Sequence, residues 1–373
     1  SETWSTTPPL PVDEYADVYG NPVKRFVMTP GPLVLRYDAI CAVPDEPDPD
    51  AMAAEQVPVE ELPGQLLHFT LPSRYCLSDE LMSTAWELFG QTPPGGARVQ
   101  AICDWCHDNI KFKYDVSAPT PVTVQVRPRS DSSHKLVSET WSTTPPLPVD
   151  EYSDIYGNPV KRLVMPTGPL LLRYDAICAV PDEPDPDAQG ADQVPVEQLP
   201  GLLLHYTLPS RYCLSDELMG TAWELFGQTA PGGARVQAIC DWCHDNIKFK
   251  YGTSNPLTTS LDVYNNRIGV CRDFAHLAIS FCRAMNIPAR YVFGYLPDLY
   301  VPVDPNPMDF AAWMEVYLGD RWWTFDPRNN ARRVGRVLIG RGRDALDVAM
   351  LTTFGPAAFK SMTVWADVAE GAA

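Results

Sequence analysis

A helical pattern of apolar residues follows one cysteine in the C-terminal half of the chain. After Cys271, apolar side chains recur at the spacing of one buried helix face, at Phe274, Leu277, Ala278, Phe281, Cys282 and Met285. Asn265, Asn266 and Gly269 precede the cysteine and are typical of a loop and turn. The pattern therefore predicts an amphipathic helix that begins near Cys271. A thiol at a helix N-terminus lies beside free backbone N–H groups, which favours the nucleophilic thiolate.

Three strand patterns follow this helix, at residues 287–296, 309–318 and 321–327. Gly319-Asp320, between the last two, is a two-residue hairpin signal. The tail from residue 333 to 368 is expected to add strands that close the same sheet.

Upstream of the cysteine, helical patterns occupy about residues 214–226 and 232–249, and residues 113–205 have the short, Pro- and Gly-punctuated segments of a β-rich region. The order predicts an α+β fold, with an N-terminal β-rich domain followed by a cysteine-bearing helix packed on an antiparallel sheet.

Four motifs in this order resemble the transglutaminase-like superfamily, a papain-like group of cysteine hydrolases and acyl transferases. They are G-V-C-R-D-F-A at 269–275, I-P-A-R-Y-V-F-G-Y at 287–295, D-F-A-A-W-M-E-V at 309–316 and W-W-T-F-D-P at 322–327. The resemblance covers about residues 110–373. It implies a papain-like core that acts on peptide or protein amides through a cysteine thioester.

The resemblance also implies a catalytic role for three positions. Cys271 matches the nucleophile, and Asp326 matches the carboxylate that orients the catalytic histidine. The histidine position itself is Ala311, so it is vacant. In bacterial relatives that share the later G-R-D-A stretch at 342–345, this position is often Ser, and a histidine can instead follow the third strand. The matching residues 326–330 contain no histidine either.

A missing histidine removes a proton donor as well as a base. Amide cleavage needs a nucleophile, a base that makes it anionic and an acid that protonates the leaving amine. The helix dipole and Arg272 are expected to hold Cys271 partly as thiolate, but they cannot supply that proton. Loss of one triad member costs several orders of magnitude in rate, while roughly 10³–10⁴-fold over water can remain.

Other side chains could replace the histidine only if the fold brings them close. His276 lies five residues after Cys271, about 140° around the helix, and should point elsewhere. His134 and His244 remain open alternatives. Asp309 is a poor proton donor unless burial raises its pKa. Asn265 and Asn266 are weak candidates for an oxyanion-binding amide.

The composition of the chain limits the classes of partner, location and cofactor that are expected. The chain has 373 residues and a formal charge of −18, which argues against nucleic acid or anionic membrane as a partner. No apolar run reaches the length of a membrane span, and the first residues show no signal-peptide pattern. Ten cysteines without a secreted-domain spacing favour the cytoplasm. No motif implies calcium, another metal or an organic cofactor.

A near-perfect internal repeat dominates the first two thirds of the chain. Residues 1–114 (copy 1) recur without a gap at 138–251 (copy 2), and about 100 of the 114 positions are identical. Copy 1 stops before the Cys271 motif, so it carries none of the candidate catalytic residues. The strand pattern that follows it, at about 114–128, is expected at a sheet edge.

We therefore expect three regions. Residues 1–112 are a truncated duplicate of the β-domain and first core helices, residues 113–205 are the N-terminal β-domain, and residues 206–373 are the transglutaminase-like core. The truncated copy has an apolar helix face that includes Val99, Ile102 and Cys106 but lacks the elements that would cover it. It should be partly ordered, pair with a second chain, or exchange places with its twin segment.

The repeat also creates a misleading metal signal. Cys103 and Cys106, with Cys240 and Cys243, form two C-x-x-C pairs, but their separation comes from the duplication. Each pair lies at i, i+3 of a predicted helix, where small core residues are the better interpretation than zinc ligands.

Two hypotheses of different classes remain. The first is an enzyme, a transglutaminase-like cysteine hydrolase or acyl transferase that the vacant position 311 impairs. The second is an inactive descendant that keeps the fold and binds peptides or a partner protein. Retention of Cys271, Trp313 and Asp326 favours the enzyme.

Overall fold

The computed structural model describes residues 2–7, 9–26, 34–39, 51–73, 76–108, 119–130, 134–302, 308–355, 357 and 359–369. The helices are α1 Ser78–Phe89, α2 Gly96–Asp108, α3 Met219–Phe226, α4 Gly233–Asn246, α5 Ser260–Asn266 and α6 Cys271–Ala284. Short 3-10 helices cover Val59–Glu61, Gly64–Thr70, Val196–Gln198 and Gly201–Thr207.

The strands fall into a first-copy group, a middle group and a core group. They are β1 Glu2–Thr7, β2 Asp13–Ala16, β3 Pro22–Arg25, β4 Val34–Ala39, β5 Thr120–Val124, β6 Lys135–Thr144, β7 Asp150–Ser153, β8 Pro159–Met165, β9 Leu171–Ala179, β10 Lys248–Phe249, β11 Ile268–Gly269, β12 Ala289–Tyr295, β13 Ala311–Leu318, β14 Arg321–Phe325, β15 Val337–Gly342 and β16 Leu351–Thr353.

Helix α6 packs on an antiparallel sheet with the order β14-β13-β12-β15. The predicted helix does begin at Cys271, and every residue from Asp273 to Ala284 is buried. Strand β13 alternates as a two-faced strand should: Ala312, Met314 and Val316 pack in the same core cluster as α6. Together with the helices that flank α6, this arrangement confirms the expected α+β class.

The N-terminal sheet corrects two expectations about strand position. Its order is β16-β5-β8-β7, so β5 lies inside the sheet rather than at its edge. Strand β16 from the tail pairs with β5, whereas β15 pairs with β12 of the core sheet. The tail therefore connects both sheets instead of closing one. Short apolar runs do not encode which edge a strand joins. The part of the expected strand at 114–118 lies outside the described residues.

Copy 1 forms two antiparallel two-stranded sheets, β1 with β4 and the hairpin β2 with β3, and the helices α1 and α2. Helix α2 repeats the sequence of α4, but its surroundings differ. Val99 of α2 is 60 % exposed, whereas the equivalent Val236 of α4 is 0 % exposed because α6 covers it. Cys103 and Cys106 are likewise exposed, while Cys240 and Cys243 are buried in the main core. The uncovered apolar face expected for copy 1 is therefore present.

Equivalent residues of the two copies can be substituted to test this difference in burial. Leu218, just before α3, is 1 % exposed, and its equivalent Leu81 in α1 is 55 % exposed. We expect Leu218→Ala to lower the free energy of unfolding by about 2–5 kcal/mol, because a buried cavity remains. Leu81→Ala should change it by less than about 0.5 kcal/mol. Urea unfolding followed by tryptophan fluorescence measures both, and equal losses would contradict the assigned burial.

Candidate active site

Cys271 is the first residue of α6; the residue keeps some exposure, while its thiol group is buried. Its Sγ lies 3.8 Å from the carbonyl oxygen of Phe310, just before strand β13. Asp273 caps the helix: its Oδ2 accepts a hydrogen bond from the peptide N–H of Val270 at 2.8 Å. The cap fixes the first turn, so the thiol is held against the start of β13.

The thiolate expectation for Cys271 is wrong for the protein as it stands. Burial raises the pKa of the Cys271 thiol to about 11. The charge of Arg328 and the peptide N–H of Ala312 oppose this rise, and the helix start adds too little to reverse it. At pH 7 only about one thiol in 10⁴ is therefore ionised.

The cation whose charge lowers the pKa of the Cys271 thiol is Arg328 rather than Arg272. The Arg272 guanidinium is engaged elsewhere, 3.3 Å from the buried Asp273 carboxylate and 2.8 Å from the carbonyl of Asn255. Of the charges that lower the pKa of Cys271 after burial has raised it, Arg328 is the largest. Its guanidinium lies over the ring of Phe249 at 4.0 Å. Arg328 stands in the segment 326–330, and its residue type alone predicted no role there.

Asp326 lies directly after β14, and its carboxylate is fully committed to neighbouring groups. Oδ1 accepts hydrogen bonds from the peptide N–H groups of Arg328 and Asn329, at 3.2 and 2.9 Å. Oδ2 accepts from Asn329 Nδ2 at 2.8 Å and from Arg336 at 3.0 Å. An amide thus occupies the donor position that a histidine ring would take beside an orienting carboxylate.

Arg336 connects this carboxylate to a loop of the N-terminal region. Its guanidinium also bonds to Asp185 at 2.7 Å. Burial lowers the pKa of Arg336, but Asp326 and Asp185 outweigh it and the net shift is upward. Asp185 belongs to the Pro- and Asp-rich segment 181–187, whose composition alone is typical of a solvated loop. Neither Arg336 nor this pairing had a sequence signal, because the partners are far apart in the chain.

Ala311, the vacant histidine position, is the first residue of β13 and pairs with Gly294. Its methyl group packs with Val292, Trp313 and Leu338. These residues form the face of the sheet opposite to α6, because Ala312 and Met314 occupy the helix face. The backbone on either side of Ala311, rather than its side chain, contacts Cys271.

The histidines considered as substitutes lie in different places. His276 is buried; its Nε2 accepts a hydrogen bond from Ala345 N–H at 3.1 Å, and its ring stacks on Tyr212. His134 is buried before β6. His244, an exposed residue of α4, donates from Nδ1 to the carbonyl of Arg328 at 2.8 Å. The fold therefore brings His244 to the segment that also carries Arg328 and follows Asp326.

The two asparagines considered for an oxyanion site, Asn265 and Asn266, are exposed at the end of α5. Peptide N–H groups face the sulfur instead. Those of Ala312 and Arg272 both act to lower the thiol pKa. Backbone donors of this kind can stabilise negative charge in an acyl-transfer intermediate. The sulfur thus lies beside two amides, and it feels the charge of Arg328, a residue of the turn whose peptide N–H groups bind Asp326.

Comparison with known proteins places this arrangement in a family. The family model of the transglutaminase-like superfamily matches residues 221–327, which contain Cys271, Ala311 and Asp326. A solved structure of a candidate cysteine protease from Cytophaga hutchinsonii is 34 % identical, with a TM-score of 0.58 over 68 % of this chain and 90 % of that one. The chain belongs to the transglutaminase-like superfamily.

Curated relatives match over a shorter segment. An uncharacterized protein of Mycobacterium leprae is 35 % identical over 119 residues, which are 31 % of this chain and 42 % of that protein. An uncharacterized protein of Mycobacterium tuberculosis is 32 % identical over 117 residues, which are 29 % of this chain and 37 % of that protein. The chain spans about two fifths of the length of these curated relatives.

The raised thiol pKa makes a direct prediction about reactivity. We expect the rate of Cys271 alkylation by iodoacetamide to rise about tenfold per pH unit from pH 7 to 9.5 without a plateau, because only the thiolate reacts. Peptide mass spectrometry at each pH measures the rate at this residue, with the exposed Cys103 as an accessible comparator. A plateau below pH 8 would show that the thiol ionises in the physiological range.

Proposed function

We propose that the chain is a transglutaminase-like cysteine hydrolase or acyl transferase that acts on peptide or side-chain amides through a Cys271 thioester. Turnover is impaired because Ala311 stands at the catalytic histidine position. The observation that carries the proposal is the placement of Cys271 at the first turn of α6, against β13, in a chain of this superfamily. Asp326 is the residue that would orient a base.

The proposed roles follow from the contacts. Cys271 attacks the amide carbonyl, and the peptide N–H groups beside its sulfur stabilise the charge that develops on oxygen. Arg328 offsets part of the negative charge of the thiolate. Water or an amine then resolves the thioester. The missing function is proton transfer to the leaving amine, which an arginine cannot perform because it stays charged.

We infer that His244 is the histidine best placed to supply that proton at a reduced rate. A carbonyl oxygen only accepts, so the bond to Arg328 fixes the proton on Nδ1 and leaves Nε2 as the basic nitrogen of the neutral ring. The ring is anchored to the same turn that carries the charge acting on Cys271. A solvent-exposed position also gives it access to bulk protons.

A second candidate function has its own support. With a pKa of about 11, Cys271 is a neutral thiol at pH 7. Asp326 is satisfied by Asn329 and Arg336, without a histidine. A site that is stable in this form suits a peptide- or protein-binding module that has lost catalysis. We propose the cytoplasm as the location of the chain, from its cysteine usage.

The deciding experiment measures ammonia release and fluorescent-amine incorporation on a glutamine-rich protein. We expect weak activity in the parent that Cys271→Ala abolishes. Lower activity in His244→Gln than in the parent, with an unchanged rate of Cys271 alkylation, would identify His244 as the base. Ala311→His should stay at the parental rate, because the side chain at position 311 lies on the sheet face opposite to α6. Silence in every variant would contradict the enzyme proposal and favour the binding module.

Asn329 offers a sharper restoration than Ala311. The Nδ1 atom of histidine is as many bonds from the backbone as Asn329 Nδ2, so Asn329→His can donate to Asp326 Oδ2 and present Nε2 as a base. We expect a rate gain of at least about 10²-fold over the parent, the usual contribution of a positioned acid–base group. The same assay measures it.

The neighbouring Asn330 provides the matched control for this variant. Its side chain bonds to Asp241 and Gln237, both at 2.8 Å, and not to the Asp326 carboxylate. Asn330→His therefore adds an imidazole without the orienting contact and should leave the rate at the parental level. Equal gains in both variants would show that any nearby imidazole suffices and that Asp326 orients nothing.

A further inference from the structure

The two copies of the repeat contact each other through equivalent residues. Arg162 of copy 2 donates from Nη1 to the carbonyl oxygens of Val59 and Leu62 in copy 1. Arg25, its equivalent in copy 1, donates from Nη1 to the carbonyl oxygens of Val196 and Leu199 in copy 2. Strand β8 of copy 2 therefore binds the 3-10 segment of copy 1, and strand β3 of copy 1 binds the 3-10 segment of copy 2.

A second pair of contacts repeats this reciprocity. A Cβ placed on Gly64 of copy 1 would lie 2.5 Å from Cδ2 and 3.2 Å from Cβ of Tyr152 in copy 2. A Cβ on Gly201 of copy 2 would lie 2.8 Å from Cδ2 and 3.2 Å from Cβ of Tyr15 in copy 1. Glycine is needed at both positions because the tyrosine ring packs directly on the backbone.

Other repeated contacts stay within each copy. The peptide N–H of Gly96 donates to Ala54 at 2.7 Å, and that of the equivalent Gly233 donates to Ala191 at 2.8 Å. The turns of the two hairpins also contact their own copy. The ring centroids of Tyr19 and His68 in copy 1 are 5.4 Å apart, and those of the equivalent Tyr156 and His205 in copy 2 are 6.3 Å apart. Among the described residues, the exchange thus involves the strands of the β2–β3 and β7–β8 hairpins, and Arg211 of copy 2 also pairs with Asp79 and Glu80 of α1 in copy 1.

We propose that copies 1 and 2 bind each other through this reciprocal surface within one chain, so that the partner each hairpin recognises is the 3-10 segment of a second copy. Contacts in which residue i meets j, and j meets i, define an isologous interface. The chain is in this respect a tethered dimer of its own repeat. The proposal does not depend on catalytic activity.

The surface between the two copies is also connected to the core that contains α6. The 3-10 helix Gly201–Thr207, which receives the copy 1 hairpin, packs against α6 and β12. Arg283 of α6 donates to the carbonyl of Leu208, directly after this segment, at 3.1 Å. Copy 1, which carries none of the candidate catalytic residues, therefore covers a segment that supports the cysteine-bearing helix.

Engineered disulfides in the full chain can distinguish exchange from packing within a copy. In a background where the exposed Cys76, Cys103 and Cys106 are replaced by serine, Gly64→Cys is combined with Tyr152→Cys. The second change removes the ring that would clash, and the Cβ separation is then within a few tenths of an ångström of disulfide geometry. Peptide mapping without reduction identifies the linked peptides.

Two matched pairs complete the design. Gly64→Cys with Tyr15→Cys tests packing within copy 1, because Tyr15 and Tyr152 are equivalent residues. Ser142→Cys with Arg173→Cys, directly opposed in β6 and β9, is the positive control for oxidation. We expect the 64–152 pair to link within one chain at least about tenfold more completely than the 64–15 pair.

Three results would overturn the proposal. A 64–15 link would show that each hairpin packs on its own copy. A 64–152 link found only in disulfide-bonded dimers would place the exchange between molecules. Formation of the control disulfide without a 64–152 link would show that the two sites are not adjacent. The reciprocal pair, Gly201→Cys with Tyr15→Cys, should reproduce the 64–152 result.

Discussion

Burial of α6 against the four-stranded sheet is the contact on which the rest of the site depends. Because every side chain from Asp273 to Ala284 is buried, the helix has one position on the sheet, and Cys271 has one position beside β13. The same burial removes water from around the sulfur and raises the pKa of Cys271 to about 11. The packing that places the proposed nucleophile thus also favours its neutral, unreactive form, which an added base would have to overcome.

The buried carboxylates show how the fold tolerates the missing histidine. An unpaired buried charge costs several kcal/mol, so a lone Asp326 would destabilise the protein. Here Arg336 and Asn329 satisfy it. Glu315 in β13 is a second buried carboxylate with charged partners. Burial would raise its pKa, but the ion pairs with Arg290 and Arg341 hold the pKa below its usual value. The Asp326 carboxylate is therefore stabilised by its structural partners, independently of the catalytic role proposed for it.

The sequence predicted the elements well and their environments poorly. The start of α6, the Gly319-Asp320 hairpin and the order of β12 to β14 follow from periodicity and turn chemistry. The ionisation state of the Cys271 thiol did not follow from the sequence, because a position at the start of a helix suggests a low pKa. Only the packing of the fold shows that burial raises this pKa. The roles of Arg328 and Arg336 depend on contacts across the fold, such as the pairing of Arg336 with Asp185, 151 residues away. Position 311 could be identified only from the resemblance.

The repeat separates local from tertiary determinants within one chain. Helices α2 and α4 share their sequence from Gly96 and Gly233 onward, and both form, so local propensity is enough for the helix. Only α4 is buried, because α6 exists in only one place. The α2 face of copy 1 therefore stays exposed, and the reciprocal contacts with copy 2 instead provide packing for its hairpin and its 3-10 segment. In the proposed arrangement, copy 1 becomes part of the protein by binding its twin rather than by folding as an independent domain.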